Sequence, residues 1–337
     1  MDELHAGLAD LPGPDEAAAE AVRRRASQVL RPTGALARLD DAAAWLAGWQ
    51  RTERPHADRP AVVIFVADHG VAAEGVSAYP SDITLEMLDA LRRGVATASV
   101  MAAALGARLD IVDVGAGRPS GNLRREPALS PARFAECLAA GRAAVATASD
   151  TSGADVLILG EMGIGNTTAA AAVCATLFGG RAELWTGRGT GVDDATLAHK
   201  VAVVDAARRR VPDHAGPLEI LRQVGGPDLA AIAGATVEAR RRSVPIVLDG
   251  FVVTAAVAPL AHVQARALDH VIAGHCSGEP GHRLLLDKLG LAPLLDLGLR
   301  LGEASGALAA LPLLRLATAC VNDVATFEEW DRWSRNR

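Results

Sequence analysis

Lysine is almost absent from this chain: only Lys200 and Lys288 break a basic complement that is otherwise arginine. A sequence that keeps lysine at two positions points to a need there for a compact, strongly hydrated ammonium. Paired cysteines are missing as well. Cys137, Cys174, Cys276 and Cys320 are widely separated with no CxxC spacing, which excludes a zinc motif or a disulfide framework and fits a reducing cytoplasm. No uninterrupted apolar run approaches the roughly 20 residues of a membrane helix, and the N-terminus is acidic instead of basic then apolar. The formal net charge of −6 gives no global reason to bind nucleic acid or an anionic membrane, so a phosphate ligand would need a local site. The expectations are a soluble, cytoplasmic protein without nucleic-acid or membrane partners, and no metal or cofactor. With 337 residues, half of them hydrophobic, the chain has enough apolar side chain for a large core.

Short β-branched runs recur at Ala61–Ala67, Leu109–Val114, Val156–Leu159, Val244–Leu248 and His270–Ala273, with Glu183–Thr186 a weaker sixth. Ala- and Leu-rich stretches of helical length lie between them. Near-continuous apolar strands alternating with helices predict an α/β fold, a parallel sheet covered on both faces in Rossmann-like layers. Leu36, Leu39, Ala43 and Leu46 repeat at helical spacing before the first strand, and Leu291–Leu301 and Ala307–Ala319 read as helices after the last. The predicted organisation is a small helical domain from 1–57 together with 285–337, and an α/β nucleotide- and base-binding domain at 58–284.

In such sheets ligands bind beyond the carboxyl ends of the strands. Gly160-Glu161-Met162-Gly163-Ile164-Gly165-Asn166-Thr167-Thr168 follows a strand and opens an Ala-rich helix. Gly163 and Gly165 would let backbone N–H groups approach an anion at the helix N-terminus, although the string is neither a Walker A loop nor a GxGxxG fingerprint. Gly187-Arg188-Gly189-Thr190-Gly191 leads into Asp193-Asp194 and a helix carrying Lys200, a second backbone cradle with cations at hand. The two aspartates read equally as helix caps. Asp68-His69-Gly70 with the following loop to Tyr79-Pro80 either lines a pocket or bonds its own loop. Asp68, His69, His275 and His282 could be imagined as a metal cluster, at a spacing that matches no standard signature. Glu303, embedded among small and apolar residues, would carry a raised pKa if buried and then suit a general base; a partly exposed helix-start carboxylate is the other reading. Residue chemistry alone reaches a nucleotide-handling α/β enzyme.

These strings, with Arg31–Leu39, Gly225–Ala235, Asp249–Ala256 and Glu279–Gly306, together resemble the nicotinate-nucleotide–dimethylbenzimidazole phosphoribosyltransferase family from about Arg31 to Ala319. The resemblance implies a pentosyltransferase that moves phosphoribose from nicotinate mononucleotide to 5,6-dimethylbenzimidazole, giving α-ribazole 5′-phosphate for the lower ligand of cobalamin. It implies Glu303 as the base, with Glu161 and Lys200 in the active site. Gly163, Gly165, Asn166, Thr167, Gly187, Arg188, Gly189, Thr190 and Gly191 would hold the nucleotide, with Asp249 and Ser277 beside them. Ser77, Tyr79, Pro80, Glu86 and Met87 would wall the base pocket. Family members are dimers, which makes Arg31–Leu39 the expected homodimer contact. The sequence departs from the family pattern at Ala35 and Ala37, at Gly94–Ser99, at Gly278 and at Glu86, and an acidic Glu86 at the pocket wall would favour a base offering an extra donor. Three other readings stay open: the same fold with adenine or a phenol as acceptor, a non-catalytic mononucleotide-binding regulator, and a metal-dependent phosphohydrolase.

Overall fold

Residues 61–67 alternate between two apolar environments, which is why this strand reads as an unbroken hydrophobic run. Ala61, Val63, Phe65 and Ala67 join one buried cluster, and Val62, Ile64 and Val66 join another. Successive strand side chains point to opposite faces, so burial on both faces removes the polar alternation. The computed structural model describes residues 7–335. Five parallel strands, β1 (Pro60–Ala67), β2 (Arg108–Gly115), β3 (Val156–Met162), β4 (Ile246–Leu248) and β5 (Val271–Ala273), form one sheet in the order β2-β1-β3-β4-β5. The strand order reverses between β1 and β3, and the crevice at their carboxyl ends is where such a sheet holds a ligand.

One face is covered by α5 (Pro131–Ser152), α6 (Asn166–Phe178), α8 (Pro217–Val224), α9 (Pro227–Arg241) and α10 (Phe251–Val263), with α7 (Asp194–Arg210) packed on α6. The α5–α9 contact is close because glycines stand at it: a Cβ on Gly141 would overlap the Ala231 carbonyl oxygen. The other face receives α1 (Glu16–Gln28), α2 (Arg38–Gln50), α3 (Ile83–Arg92), α4 (Thr97–Ala104) and α12 (Ser305–Asn322). The helices from the two ends of the chain thus meet, α2 packing on α12, against the sheet residues of the second cluster. By length and composition α12 could cross a bilayer, yet Leu308, Leu311 and Leu314 are fully buried on the sheet. Between β5 and α12 lies the short helix α11 (Pro280–Leu289), and α13 (Phe327–Arg335) ends the described residues.

Two sequence expectations fail. Glu183–Thr186 is not a strand: Ala182–Leu184 is a 3-10 turn, fixed by the Trp185 indole donating to the Gly179 carbonyl at 2.9 Å. The stretch 291–301 is not a helix. Gly290 and Gly298 adopt positive φ, Pro293 supplies no N–H, and the segment runs irregularly beside the sheet, with a parallel bridge from Leu295 to His275.

Candidate active site

Glu161 sits near the end of β3, and the chain then turns through Gly163 and Gly165 into α6. Both glycines are sterically required. A Cβ on Gly163 would overlap the Ala67 carbonyl oxygen of β1, and Gly165 has φ +97°. The Asn166 amide donates to Glu161 Oε2. Lys200, on α7, is 1% exposed and donates to Thr167 Oγ1 at 2.8 Å. These residues line two adjoining hollows. One is bordered by Glu161, Asn166, Phe251, His275, Ser277, Glu279, Arg300 and Gly302. The second is bordered by Ser77, Gly165, Arg188 and Lys200, and Gly163, Thr167, Gly189 and Thr190 belong to both. A roomier hollow, about 660 Å³, lies by Gly7, Asp10, Arg142 and Glu238; it contains neither glycine loop, so volume does not locate the site.

Glu303 reaches the same place from the other end of the chain. Its backbone N–H donates to the Glu161 carbonyl oxygen at 3.2 Å. Gly302 packs so tightly that a Cβ there would stand 2.7 Å from Glu161 Oε1. Glu303 and Ala304 both adopt left-handed φ, +57° and +64°, an uncommon backbone for non-glycine residues that costs about 1–3 kcal/mol each and persists where surrounding structure fixes it. Asp249, just past β4, supplies part of that fixing: Oδ1 accepts the N–H groups of Gly306 and Ala307 at 2.8 and 3.1 Å, satisfying donors at the start of α12. His275 Nε2 stands 3.5 Å from the same oxygen.

The electrostatics are set by burial. The Glu303 carboxyl is 4% exposed; burial raises its pKa, the Ala98 backbone N–H pulls it back, and Asp249 raises it. Oε2 has no hydrogen-bond partner. Glu161 is raised well above the carboxylate range, first by burial and then by Asp228, Asp249 and Glu303, against the Asn166 hydrogen bond. Lys200 moves the opposite way, lowered by burial to about 8 while the Glu279 charge opposes. A buried carboxyl with a free oxygen and a raised pKa is better equipped to take a proton than a solvated one.

The other sequence candidates divide. Ser77 reaches the second hollow. Tyr79, Pro80 and Glu86 are exposed, Met87 is half-buried against the second core cluster, and none of these four lines either hollow. Gly187 is buried against Glu279, and Gly191 lies near Arg300. Arg188 is engaged locally, donating to the Val192 carbonyl and pairing with Asp194, while Asp193 caps α7 by accepting the Thr196 N–H at 2.8 Å. The residues imagined as a metal cluster take separate partners. Asp68 Oδ2 accepts the Gly117 N–H at 2.7 Å, and His69 Nε2 lies 3.0 Å from Asp228 Oδ1 with both side chains fully buried. His282 is held between Ser277 and Thr254; burial, with His275 next, lowers its pKa to about 3, so the ring is neutral. Among the described residues no group of three or more His, Cys, Asp or Glu is arranged to hold a metal ion. Sequence reasoning did not single out Asp228, Ala98, Glu279 or Arg300. Asp228 had one local signal, its place after Gly225-Gly226-Pro227 at a helix start, whereas Ala98 acts through its backbone and carries none.

Residues 11–330 match a family model described as a phosphoribosyltransferase. Nicotinate-nucleotide–dimethylbenzimidazole phosphoribosyltransferases are 48% identical in Mesorhizobium japonicum, over 98% of this chain and 97% of that one, and 48% identical in Ruegeria pomeroyi, over 96% and 94%. The crystal structure of CobT from Thermus thermophilus superposes with a TM-score of 0.89 at 42% identity, covering 94% of this chain and 98% of that one.

Proposed function

We infer the chemistry of the site from one premise: the chain belongs to the nicotinate-nucleotide–dimethylbenzimidazole phosphoribosyltransferase family. It is a phosphoribosyltransferase that moves the 5-phosphoribosyl group of nicotinate mononucleotide onto 5,6-dimethylbenzimidazole or a related base, giving α-ribazole 5′-phosphate and nicotinate. The observation that carries the assignment of roles is the backbone hydrogen bond joining Glu303 to Glu161, which ties the segment bearing a buried carboxyl with a free oxygen to the strand that leads into the glycine-rich turn.

In our reading, one ring nitrogen of the base attacks C1′ of the ribose as the bond from C1′ to the nicotinate nitrogen breaks. That electron pair leaves with nicotinate, and the proton on the other ring nitrogen passes to Glu303. A positioned base contributes about 10²- to 10⁴-fold in rate, and holding both reactants in line supplies much of the remainder. The Gly163–Thr167 turn and the Gly187–Gly191 loop hold the 5′-phosphate with Lys200 as the cation; the α6 N-terminus adds favourable dipole. Met162, Ile164, Phe251 and Leu301 give the main hollow an apolar side suited to a flat base. Ser77 borders the joined hollows. Tyr79, Pro80, Glu86 and Met87 belong to the base pocket only if their loop closes on the ligand. We also place the enzyme in the cytoplasm as a homodimer contacting through Arg31–Leu39, where Pro32–Ala35 are exposed.

Purified protein incubated with nicotinate mononucleotide and 5,6-dimethylbenzimidazole, without added metal, should yield nicotinate and α-ribazole 5′-phosphate in equal amounts by chromatography. Tight mononucleotide binding with no nicotinate release for any benzimidazole, purine or phenol acceptor would overturn the transferase and favour the regulator.

A further inference from the structure

Glu279 is the N-cap residue of α11, yet its side chain caps no N–H of that helix. It reaches across to the Gly187–Gly191 loop instead. The Gly189 backbone N–H lowers the pKa of its carboxyl, and a Cβ on Gly187 would overlap its Oε2. That oxygen is buried and has no hydrogen-bond partner. Beside Gly189 stands Lys200: its Nζ would lie 3.5 Å from a Cβ on Gly189. The loop, with Gly189 in the left-handed region at φ +55°, is therefore held between a buried carboxylate packed on Gly187 and a buried ammonium packed on Gly189.

A buried carboxylate beside a loop meant for phosphate needs a reason, since like charges repel. The reason lies in the ammonium. Burial works against a charged lysine, and a nearby opposite charge is the ordinary means of retaining it. The charged and titratable groups bordering the joined hollows are Glu161, Arg188, Lys200, His275, Glu279 and Arg300. Arg188 is paired with Asp194, and Glu161 is bonded to Asn166. Glu279 is the negative group that acts on Lys200, and Lys200, the Gly189 N–H and Arg300 in turn oppose the rise that burial imposes on the Glu279 carboxyl.

We propose that Glu279 is a positioning residue of the transfer reaction: packed against Gly187 it clamps the Gly187–Gly191 loop, and across that loop it acts on the Lys200 ammonium beside Gly189, so that loop and ammonium form one anion site. The proposal rests on the assignment of Lys200 to the nucleotide site made above. The near-absence of lysine makes it directly measurable, because protein labelled with [13Cε]lysine gives signals from Lys200 and Lys288 alone, and Lys288→Arg assigns them. In the full-length protein the Lys200 signal should titrate with a midpoint near 8, and in Glu279→Gln that midpoint should fall by at least about half a pH unit. Glu279→Ala, which also removes the side chain packed against Gly187, should raise KM for nicotinate mononucleotide about tenfold, and more than Glu279→Gln does. An unmoved Lys200 midpoint in a Glu279→Gln protein with a wild-type melting curve overturns the proposal, as does an equal KM in the two variants. A lowered midpoint without any shift in the alkaline limb of kcat/KM would uphold the coupling and sink the role of Lys200 in the reaction instead.

Discussion

Glu303 and Lys200 are buried to nearly the same depth, 4% and 1% exposed, at the acidic and basic ends of the candidate site, and burial moves them in opposite senses. It disfavours the charged form of each, raising the carboxyl and lowering the ammonium. Their neighbours then differ in kind. Around Glu303 another carboxylate, Asp249, pushes in the same direction as burial. Beside Lys200 the carboxylate of Glu279 pushes against it. On the proposed roles, the acidic end thus suits a base whose proton affinity burial raises, and the basic end keeps a cation that burial would otherwise discharge. The same physical force serves two purposes because the fold chose the neighbours differently.

Replacing Glu303 by Gln attacks the acidic end most directly. Shape is nearly constant and basicity is lost, so turnover should fall by about 10²- to 10⁴-fold, while calorimetric titration shows mononucleotide binding almost intact. Equal loss of binding would mean that Glu303 holds substrate instead of accepting a proton. At the basic end Thr167→Val removes the hydroxyl that accepts from Lys200 Nζ; kcat/KM for nicotinate mononucleotide should drop about tenfold, the scale of a hydrogen bond to a charged group, with kcat for the bound complex changed less.

The comparison also fixes a pH profile. On the proposed roles Glu303 acts ionised, so activity is lost as pH falls through its raised pKa; Lys200 acts protonated, so activity is lost as pH rises through about 8. Asp249→Asn keeps an oxygen for the α12 N–H groups and removes a charge that raises the Glu303 pKa. The acidic limb of kcat/KM should therefore move to lower pH by less than about one unit, with the alkaline limb unmoved. The smallest effect is expected away from both ends. Ser130 caps α5 by accepting the Arg133 N–H at 3.2 Å, and Ser130→Ala should cost about 1 kcal/mol in a denaturant titration with both pH limbs unchanged.

Much of this architecture was legible from local chemistry. The β1 run was readable because both faces of that strand are buried, and the two glycine loops because backbone approach and positive φ admit few other residues. The same reasoning failed at Leu291–Leu301, where leucine content imitates a helix but Gly290, Pro293 and Gly298 break it, and at Glu183–Thr186, where Trp185 anchors a turn. Within the site, Asp193 was open between cap and ligand contact, and its hydrogen bond to Thr196 makes it a cap. Glu86 was expected at the base pocket from its place in the string, but it faces outward on α3; which side of a helix meets a cavity depends on how the helix is seated.

By itself, then, the sequence determined the layered parallel sheet, the turns that approach an anion, and the identity of the few charged groups worth following, because each of these depends on residues adjacent in the chain. The company those groups keep was decided only in three dimensions. Ala98 against Glu303, Glu303 against Glu161, Asp228 against His69 and Glu279 across the Gly187–Gly191 loop from Lys200 are pairs remote or unmarked in the sequence. A side chain's protonation follows from its burial and nearest charges, and those are properties of the fold.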